Sequence, residues 1–344
     1  MLYLHVPFCE SRCGYCAFNT FSGKGELIND YVNALSKQLI HSLSNTKKLS
    51  SVYFGGGTPS MLEAAHFEKL FEIFMPLTDG ATEITIEANP SSWNYEKAKA
   101  LLGMGANRLS LGVQSLDDKK LAFLSRVHDR KSAINAYEAS VKAGFENISV
   151  DFMYDTPFDD EKFVNEELTD FLALEAEHIS AYSLTIEENT PFEKQNIKTR
   201  YDAKTAKDIA TTLTQAGYEH YEVASFGRIR SKHNFGYWEY KEYIGVGAGA
   251  VGFDGKRRIY PHTKIEEYIK NPVFAKTEEL SSDDMRAEKI LLGLRSAVGV
   301  DKSLLVDKGD TVQMLVKNSL LSESGERVYC MDFFLADEIA VRLA

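Results

Sequence analysis

Three of the four cysteines in this 344-residue chain lie together near its start. Cys9, Cys13 and Cys16 follow the strand-like stretch LYLHV, whereas Cys330 lies near the other end. The spacing C-x3-C-x2-C supplies three thiolates from one tight loop, which can hold three irons of a [4Fe–4S] cube and leave the fourth iron open. Structural zinc would need four ligands, and His5 is the nearby candidate for the fourth. The spacing favours iron–sulfur and leaves zinc as the alternative.

A glycine-rich turn, GGGTP at 55–59, follows the second strand-like stretch. Bare backbone at such a turn can approach a ligand closely. The turn lacks the Lys-Ser/Thr pair of a phosphate loop, so a nucleoside triphosphate is disfavoured and an amino or carboxylate group suits it better. The same turn could also precede a helix that is capped by Thr58 or Ser60.

Composition and charge narrow the class of protein. The chain is 44% hydrophobic and 26% charged, which is typical of a globular protein. Its formal net charge of −11 disfavours nucleic acid as a partner, because phosphate binding needs a basic face. We find neither an apolar run of bilayer-spanning length nor a signal peptide, which predicts a cytoplasmic location. Four cysteines are too few for a disulfide framework in a chain of this length.

Short apolar stretches alternate with amphipathic ones from the start to about residue 190. Apolar residues recur at helical spacing in 28–43, and two later helices are predicted to stop at Gly105 and Gly144. This alternation predicts an α/β fold with a parallel sheet, which closes wholly or partly as a barrel or stays open. The predicted strands are LYLHV (2–6), SVYFG (51–55), EITIEA (83–88), RLSLGV (108–113), NISVDFMY (147–154) and HISAYSLTI (178–186).

The residues with unusual chemistry fall where the predicted strands end. The cysteine loop follows the first strand and GGGTP the second, while EANP closes the third and GVQS the fourth. Asp151 lies on the fifth strand. Both a barrel and an open sheet carry active-site groups at the carboxyl ends of parallel strands. We therefore expect these loops to meet at one rim.

The sequence predicts three regions. Residues 1–200 form a (β/α)6 core, and residues 201–282, which contain HNFGYW and a hairpin-like FDGKRR, complete the barrel. Residues 283–344 indicate helices with a short hairpin, SGERVYCMDFF, which is typical of a small winged-helix-like module. The charge of this last region is not basic, so the pattern gives no reason to expect DNA binding.

Taken in order, the stretch Y-x-H-x-P-F-C, the three cysteines, GGGTP, E-x-N-P, G-V-Q-S and R-x-H resemble the motifs of the radical S-adenosylmethionine superfamily. Within it the chain is similar to the oxygen-independent coproporphyrinogen III oxidases and their HemW-type heme chaperone relatives. The resemblance runs from Met1 to about Phe253. It implies a partial (β/α)6 barrel of radical SAM type with a smaller, mostly helical C-terminal region. In this superfamily, reductive cleavage of S-adenosylmethionine makes a 5′-deoxyadenosyl radical, and the protein positions the cofactor.

The resemblance also implies roles for residues of this chain. Cys9, Cys13 and Cys16 would bind a [4Fe–4S] cluster, and S-adenosylmethionine would chelate its open iron. A carboxylate near a cationic sulfonium or amine, and an arginine near a carboxylate, suit this cofactor. By their positions in the motifs, the residues expected at the cofactor are Tyr3, Tyr15, Gly56, Gly57, Thr58, Glu87, Gln114, Arg126 and Asp151.

Three features favour the heme chaperones over the oxidases. The oxidases have a further cysteine two residues after the third, where this chain has Phe18. They also carry a long extension before the strand that contains Tyr3. Finally, HNFGYW (233–238) matches the H-N-x-x-Y-W motif of the chaperone relatives, in which the histidine is associated with heme. One departure is GAVGF, which stands where the family usually reads Gly-Ala-His-Ser, so this chain lacks that histidine and any ligand contact it would supply.

His233 is therefore the predicted heme residue, either as an iron ligand or as a contact to the porphyrin edge. A neutral imidazole suits heme iron, and Tyr237 and Trp238 offer flat apolar surface. The basic residues at 256–258 could meet propionates, or could belong to a solvated hairpin. Because a histidine beside aromatic residues is often a buried, hydrogen-bonded residue, both interpretations of His233 stay open.

Three classes of function remain. The first is a heme chaperone that uses a cluster and S-adenosylmethionine and hands heme to a client hemoprotein. The second is an enzyme, an oxygen-independent coproporphyrinogen III dehydrogenase, which Phe18 disfavours. The third is a zinc-stabilised binding module. For the first class we expect heme, a client hemoprotein and an electron donor as partners, together with cleavage of S-adenosylmethionine. Peripheral membrane contact through the clients stays open.

Overall fold

A mostly parallel sheet organises the chain in the computed structural model, which describes residues 1–200 and 202–344. Within these residues, the strands in chain order are β1 (Leu2–Val6), β2 (Phe8–Cys9), β3 (Phe21–Ser22), β4 (Ser51–Gly56), β5 (Glu83–Ala88), β6 (Arg108–Gln114), β7 (Ile148–Tyr154), β8 (His178–Ser183), β9 (Glu219–His220), β10 (Ser225–Gly227), β11 (Ile244–Val246), β12 (Gly252–Phe253), β13 (Arg257–Pro261), β14 (Ala275–Glu279), β15 (Val300–Asp301), β16 (Leu321–Ser324) and β17 (Arg327–Cys330).

Helices alternate with these strands. In the same described ranges they are α1 (Ile28–Leu43), α2 (Ala64–Phe74), α3 (Tyr95–Met104), α4 (Asp118–Phe123), α5 (Arg130–Ala143), α6 (Glu161–Leu172), α7 (Pro191–Lys194), α8 (Ala203–Gln215), α9 (Lys232–Trp238), α10 (Ile265–Lys270), α11 (Ser282–Leu294), α12 (Gly309–Lys317) and α13 (Ala336–Leu343). None of them is long and apolar enough to cross a bilayer.

The six predicted strands are β1 and β4 to β8, and they lie side by side in chain order. Each pairs in parallel with its neighbours, because a helix crosses over between successive strands. The order of the whole sheet is β11-β1-β4-β5-β6-β7-β8-β10-β9, and β10 pairs antiparallel with β8. No pairing between the edge strands β11 and β9 is found in the described parts of the chain. The predicted α/β fold is confirmed.

Local sequence explains where these elements begin and end. The helices α3, α5 and α6 are capped by the residues just before them, Asn94, Asp129 and Asp160, whose side chains accept hydrogen bonds from the free N–H groups of the first turn. Gly105 and Gly144 end α3 and α5 in the left-handed conformation, as predicted. By contrast, β8 ends three residues before its predicted limit of 186.

Apolar residues form two large cores. The first lies between the parallel sheet and its helices, and it contains both strand residues such as Leu2 and Leu4 and helix residues such as Leu35 and Leu39 of α1. The second is formed by residues of 290–343, in which α11, α12 and α13 cover a three-stranded sheet ordered β15-β17-β16. The predicted hairpin of this region is β16 and β17. The three region limits stay predictions, and the limit at residue 201 lies outside the described residues.

Candidate functional site: the cysteine rim

Three free cysteines lie on the loop that follows β1. Cys9 closes β2, and Cys13 and Cys16 follow before β3; all three side chains are partly exposed. The loop is closed at its base, because β2 pairs with β3 and the N–H of Phe21 donates to the carbonyl of Pro7 over 2.7 Å. One short closed segment therefore presents three thiols at the carboxyl end of β1.

The cysteine loop rests on the short helix α7. The N–H of Phe192 donates to the carbonyl of Gly14 over 2.9 Å, and a Cβ at position 14 would lie only 2.1 Å from the Phe192 ring. Tyr15, the next residue, has its ring 6.3 Å from the ring of Phe192, and burial raises the pKa of its hydroxyl. Glycine is therefore required at position 14 by this contact, and Tyr15 is held beside the cysteines.

Hydrogen-bond donors approach two of the three sulfurs. Arg126 Nη1 donates to Cys13 Sγ over 3.3 Å, and Thr58 Oγ1 lies 3.7 Å from Cys9 Sγ. Burial raises the pKa of Cys9. Such donors favour the thiolate, which is the form that binds metal. Cys330 instead packs in the core of the C-terminal residues, where its thiol contacts the carbonyl of Asp332 at 3.1 Å.

The thiols are not gathered around one point. Among the described residues, no three His, Cys, Asp or Glu side chains stand in an arrangement that could hold one metal ion. In a [4Fe–4S] cube, each cysteine binds a different iron, so a cluster does not require that arrangement. His5, the nearby candidate for a fourth ligand, uses Nε2 to donate to the carbonyl of Asn19 and Nδ1 to bond the hydroxyl of Tyr3, each over 2.9 Å.

The glycine turn is joined to the cysteine strand by its backbone. The N–H of Gly57 donates to the carbonyl of Val6 over 2.9 Å, and that of Thr58 donates to the carbonyl of Phe8 over 2.8 Å. A Cβ on Gly57 would lie 2.6 Å from the Phe8 carbonyl oxygen and 3.0 Å from Cys9 Sγ. The sequence predicts that the backbone of this turn approaches a ligand closely. In the structure, the backbone of Gly57 closely approaches the strand and loop that carry Cys9. A contact of Gly57 with the cofactor stays a prediction.

Glu87 lies partly buried near the end of β5. Its carboxylate accepts from the hydroxyl of Tyr53 at 2.7 Å and from the N–H of Gly56 at 3.1 Å. Burial nevertheless raises the pKa of Glu87 above its usual range. The Tyr53 ring in turn stacks on that of Tyr3, with the centroids 6.2 Å apart. A cationic ligand group would favour the charged carboxylate, which burial disfavours.

Asn89 links the separate loops of the rim and is not among the site residues predicted from the sequence. Its side-chain amide donates to Thr58 Oγ1 over 2.9 Å, and its N–H donates to Ser60 Oγ over 3.1 Å. Its Oδ1 accepts from Arg126 Nη2 over 2.6 Å. The available signal was its place two residues after Glu87 in the E-x-N-P motif.

Arg126 reaches the rim from the R-x-H segment. Besides Asn89 and Cys13, it donates from Nη2 to the carbonyl of Gly112 over 2.8 Å. Its Nε is buried and has no hydrogen-bond partner in the described residues. His128 is bonded to the carbonyl of Val113 at 3.0 Å, and burial, helped by the Arg126 charge, lowers the pKa of His128 to about 4. Arg126 thus supplies a positive charge and, within the described residues, a free N–H group at Nε, a combination that suits binding of a ligand carboxylate.

Gln114 and Asp151 complete the set of predicted residues at the sheet. Gln114 ends β6 with a positive φ of 70°, and its Oε1 accepts from the hydroxyl of Tyr182 at 2.5 Å. Asp151 lies on β7, where burial and then the charge of Glu87 raise its pKa to about 7. Glu87 and Asp151 thus lie close enough for the charge of the first to affect the second, and both carboxyl groups have raised pKa values.

A buried ion-pair network anchors the turn that follows Gln114. Lys120 Nζ bonds the carboxylates of Asp159 at 2.8 Å and Glu167 at 2.6 Å, and all three side chains are almost fully buried. Glu167 also accepts from the Ser115 hydroxyl. Breaking a buried pair of this kind typically costs about 3–5 kcal/mol, so the network holds this part of the rim in place.

Comparison with known proteins agrees with this geometry. Residues 3–167 match the model of the radical SAM superfamily. The chain is 34% identical over 326 residues to the heme chaperone HemW of Bacillus subtilis, a match that covers 89% of this chain and 86% of the relative. It is 33% identical to the heme chaperone HemW of Lactococcus lactis, over 96% and 93% of the two chains. The chain belongs to the HemW family of the radical SAM superfamily.

Other matches place the family in a wider context. A mitochondrial radical S-adenosyl methionine domain-containing protein 1 of Danio rerio is 34% identical over 76% of this chain and 61% of its own length. The coproporphyrinogen III oxidase HemN of Escherichia coli has the same fold, with a TM-score of 0.84 and 19% identity over 99% and 89% of the two chains. The radical SAM superfamily implies a [4Fe–4S] cluster and S-adenosylmethionine.

The histidine of the HemW-type motif lies away from the rim. His233 is fully buried at the amino ends of β4 and β5, where its N–H donates to Glu83 Oε1 over 2.9 Å. Its Nδ1 shares a hydrogen bond with Ser51 Oγ at 2.8 Å, and its Nε2 shares one with the Tyr237 hydroxyl at 2.9 Å. Burial lowers the pKa of His233 to about 3, and its ring stacks on Tyr53 with the centroids 5.0 Å apart. The rim of this HemW-family chain therefore brings together every predicted site residue except His233.

Proposed function

We propose that this chain is a heme chaperone that binds a [4Fe–4S] cluster, S-adenosylmethionine and heme, and delivers heme to client hemoproteins. The observation that carries the proposal is the meeting at one rim of three partly exposed thiols with Glu87 and Arg126. The heme and the delivery step rest on the HemW family, whose members listed above are named heme chaperones.

The residues of the rim fit the cofactors by their chemistry. Cys9, Cys13 and Cys16 would hold the cluster, which with bound S-adenosylmethionine supplies one-electron reductive chemistry. The unpartnered Nε of Arg126 would donate to the carboxylate of the ligand. Glu87 would accept from its amino group or meet its positive charge.

The remaining predicted residues would shape the pocket around the same ligand. Tyr3 and Tyr15 would form its walls, Gly56, Gly57 and Thr58 would contact the methionine part, and Gln114 and Asp151 would close the pocket. Phe18 stands where the oxidases carry a cysteine, which favours the chaperone over the oxidase.

Anaerobic reconstitution tests the proposal. We expect about four irons and four sulfides per chain, binding of S-adenosylmethionine only after reconstitution, and a Soret band on titration with heme. To measure heme transfer, the heme-loaded protein is mixed with an apo-hemoprotein. The two proteins are then separated, and the heme absorption of each is recorded. Incubation with coproporphyrinogen III, reductant and S-adenosylmethionine should give no decarboxylated product. If the chain decarboxylates coproporphyrinogen III and does not bind heme, it is an oxidase. If the reconstituted protein contains zinc and no iron, it is a zinc-stabilised binding module.

A further inference from the structure

A cavity of about 460 Å³ lies between the cysteine loop and the His233 segment. Phe18 and Asn19 line it from the cysteine side and Tyr237 lines it from α9, while Tyr3 and His5 form its inner wall. This volume lies within the range of small-molecule sites, roughly 300–1,000 Å³. Tyr3 and His5 also touch the rim, because Tyr3 stacks on Tyr53 and a Cβ on Gly56 would strike the His5 ring.

The walls of the cavity are rich in aromatic rings. Tyr237 packs edge to face with Tyr243, with the centroids 4.7 Å apart, and Tyr240 packs in the same way with Phe253 at 4.8 Å. Phe18, in the same lining, adds an aromatic ring that is 71% exposed. Such walls suit a flat, largely apolar ring system.

Two cations stand in the same lining. Arg258 donates from Nη2 to Glu288 at 2.7 Å and from Nη1 to the Tyr243 hydroxyl at 3.2 Å. A guanidinium has five donors, so Arg258 can keep Glu288 and still take a further carboxylate. Lys241 is exposed and pairs with Glu239, a contact that solvent weakens. The cavity thus combines aromatic walls with two positive charges, and both features suit a flat ring system that carries carboxylate groups.

We propose that this cavity is the heme site and that Tyr237, not His233, is the residue of the HNFGYW motif that meets the ligand. This inference rests on the heme-chaperone function proposed above and deepens it. Both ring nitrogens of His233 are occupied, by Ser51 and by Tyr237. His233 is a positioning residue that fixes the Tyr237 hydroxyl in the wall, and iron ligation is not its role.

Matched variants of the hairpin test the place of the site. Arg258→Gln should weaken heme binding about tenfold, whereas Arg257→Gln should bind like the parent, because Arg257 pairs with Asp254 and is not in the lining. Phe18→Ala should also weaken binding. Iron content and S-adenosylmethionine binding serve as controls for folding. If the parent binds heme and all three variants bind equally well, the cavity assignment is wrong while the chaperone function stands; if the parent binds no heme, the proposed function itself fails.

Protoporphyrin IX, which has the ring of heme but no iron, tests the role of His233. The parent, His233→Gln and Tyr237→Ala are titrated with heme and with protoporphyrin IX, and the binding is followed by absorption and by fluorescence. A positioning residue affects both ligands by a similar factor, and adding His233→Gln to Tyr237→Ala should change little further. Loss of heme binding alone in His233→Gln, with protoporphyrin binding intact, would make His233 the iron ligand and overturn this assignment.

Discussion

The cysteine rim and the buried surroundings of His233, here called the His233 pocket, lie at opposite ends of the same strands. They differ in how many of their polar groups have hydrogen-bond partners within the protein. At the carboxyl ends, the three thiols are partly exposed and Arg126 Nε has no partner in the described residues. At the amino ends, His233 is fully buried and both of its ring nitrogens are bonded. Both regions carry prominent sequence motifs, but both ring nitrogens of His233 are already bonded within the protein, whereas Arg126 at the rim keeps an unpartnered donor in the described residues. The difference predicts that changes at the rim reduce ligand binding and that changes at the pocket reduce stability.

The largest expected effect is on the cluster. Replacing Cys9, Cys13 or Cys16 by Ala should remove most of the iron and sulfide, since each thiolate holds one iron. Cys330→Ala is the control and should keep near-normal content, because Cys330 lies in the C-terminal core. Iron and sulfide per chain are measured after anaerobic reconstitution. A comparable loss in all four variants would contradict the assignment.

The next effect is on the pH dependence of stability. Burial raises the pKa of Asp151 to about 7, so between its ordinary value and about 7 the folded state holds a proton that the unfolded state has released. The free energy of unfolding of the cofactor-free chain should therefore fall as pH rises through that window. Asp151→Asn should be more stable than the parent by on the order of 2 kcal/mol at about pH 8, with little difference at about pH 4. Urea unfolding measures this, and an unchanged pH slope in the variant would refute it.

A smaller effect is expected on the affinity for S-adenosylmethionine, and it should distinguish two glutamates of strand β5. Glu87→Gln should weaken S-adenosylmethionine binding about tenfold, or ~1.4 kcal/mol, through the loss of the charge. Glu83→Gln is its control, because Glu83 contacts the backbone of His233 at the other end of β5. Glu83→Gln should lower the free energy of unfolding and leave the affinity unchanged. Equal affinities for the two variants in calorimetry would remove Glu87 from the site.

The smallest effect is expected in the His233 pocket. Ser51→Ala leaves Nδ1 of His233 buried without its partner and should lower the free energy of unfolding by about 1 kcal/mol. Ser36→Ala is the matched control, because that buried hydroxyl only donates to the carbonyl of Val32 within α1. Denaturant unfolding compares the two. A larger loss for Ser36→Ala than for Ser51→Ala would show that the His233 hydrogen bonds do not stabilise the fold.

Much of the fold was predictable from the sequence because local patterns determine it. The predicted limits of β1 and β5 agree with the structure, and the glycines after α3 and α5 stop those helices. Strand β11 was not predicted, since the stretch GVGAGAVG (245–252) is rich in glycine, which is depleted in strands, and the pairing of β11 with β1 joins residues more than 200 positions apart. Residue spacing does not encode such long-range partners.

The rim was predictable for a different reason. Its residues lie in motifs at strand ends, and the topology of a parallel sheet brings strand ends together. Asn89 was overlooked because its role depends on three partners from distant segments. A buried, hydrogen-bonded His233 was one of the two interpretations that the sequence left open, and its partners could not be named because Ser51 and Glu83 come from two other strands.

The contact between Gly14 and Phe192 couples two distant parts of the chain. The two positions are 178 residues apart, yet a side chain on one occupies the space of the ring on the other. A side chain larger than glycine at position 14 would therefore require the Phe192 ring to move or a smaller residue at position 192. The segment containing α7 thus limits the shape that the cysteine loop can take, although it contains no cysteine of its own.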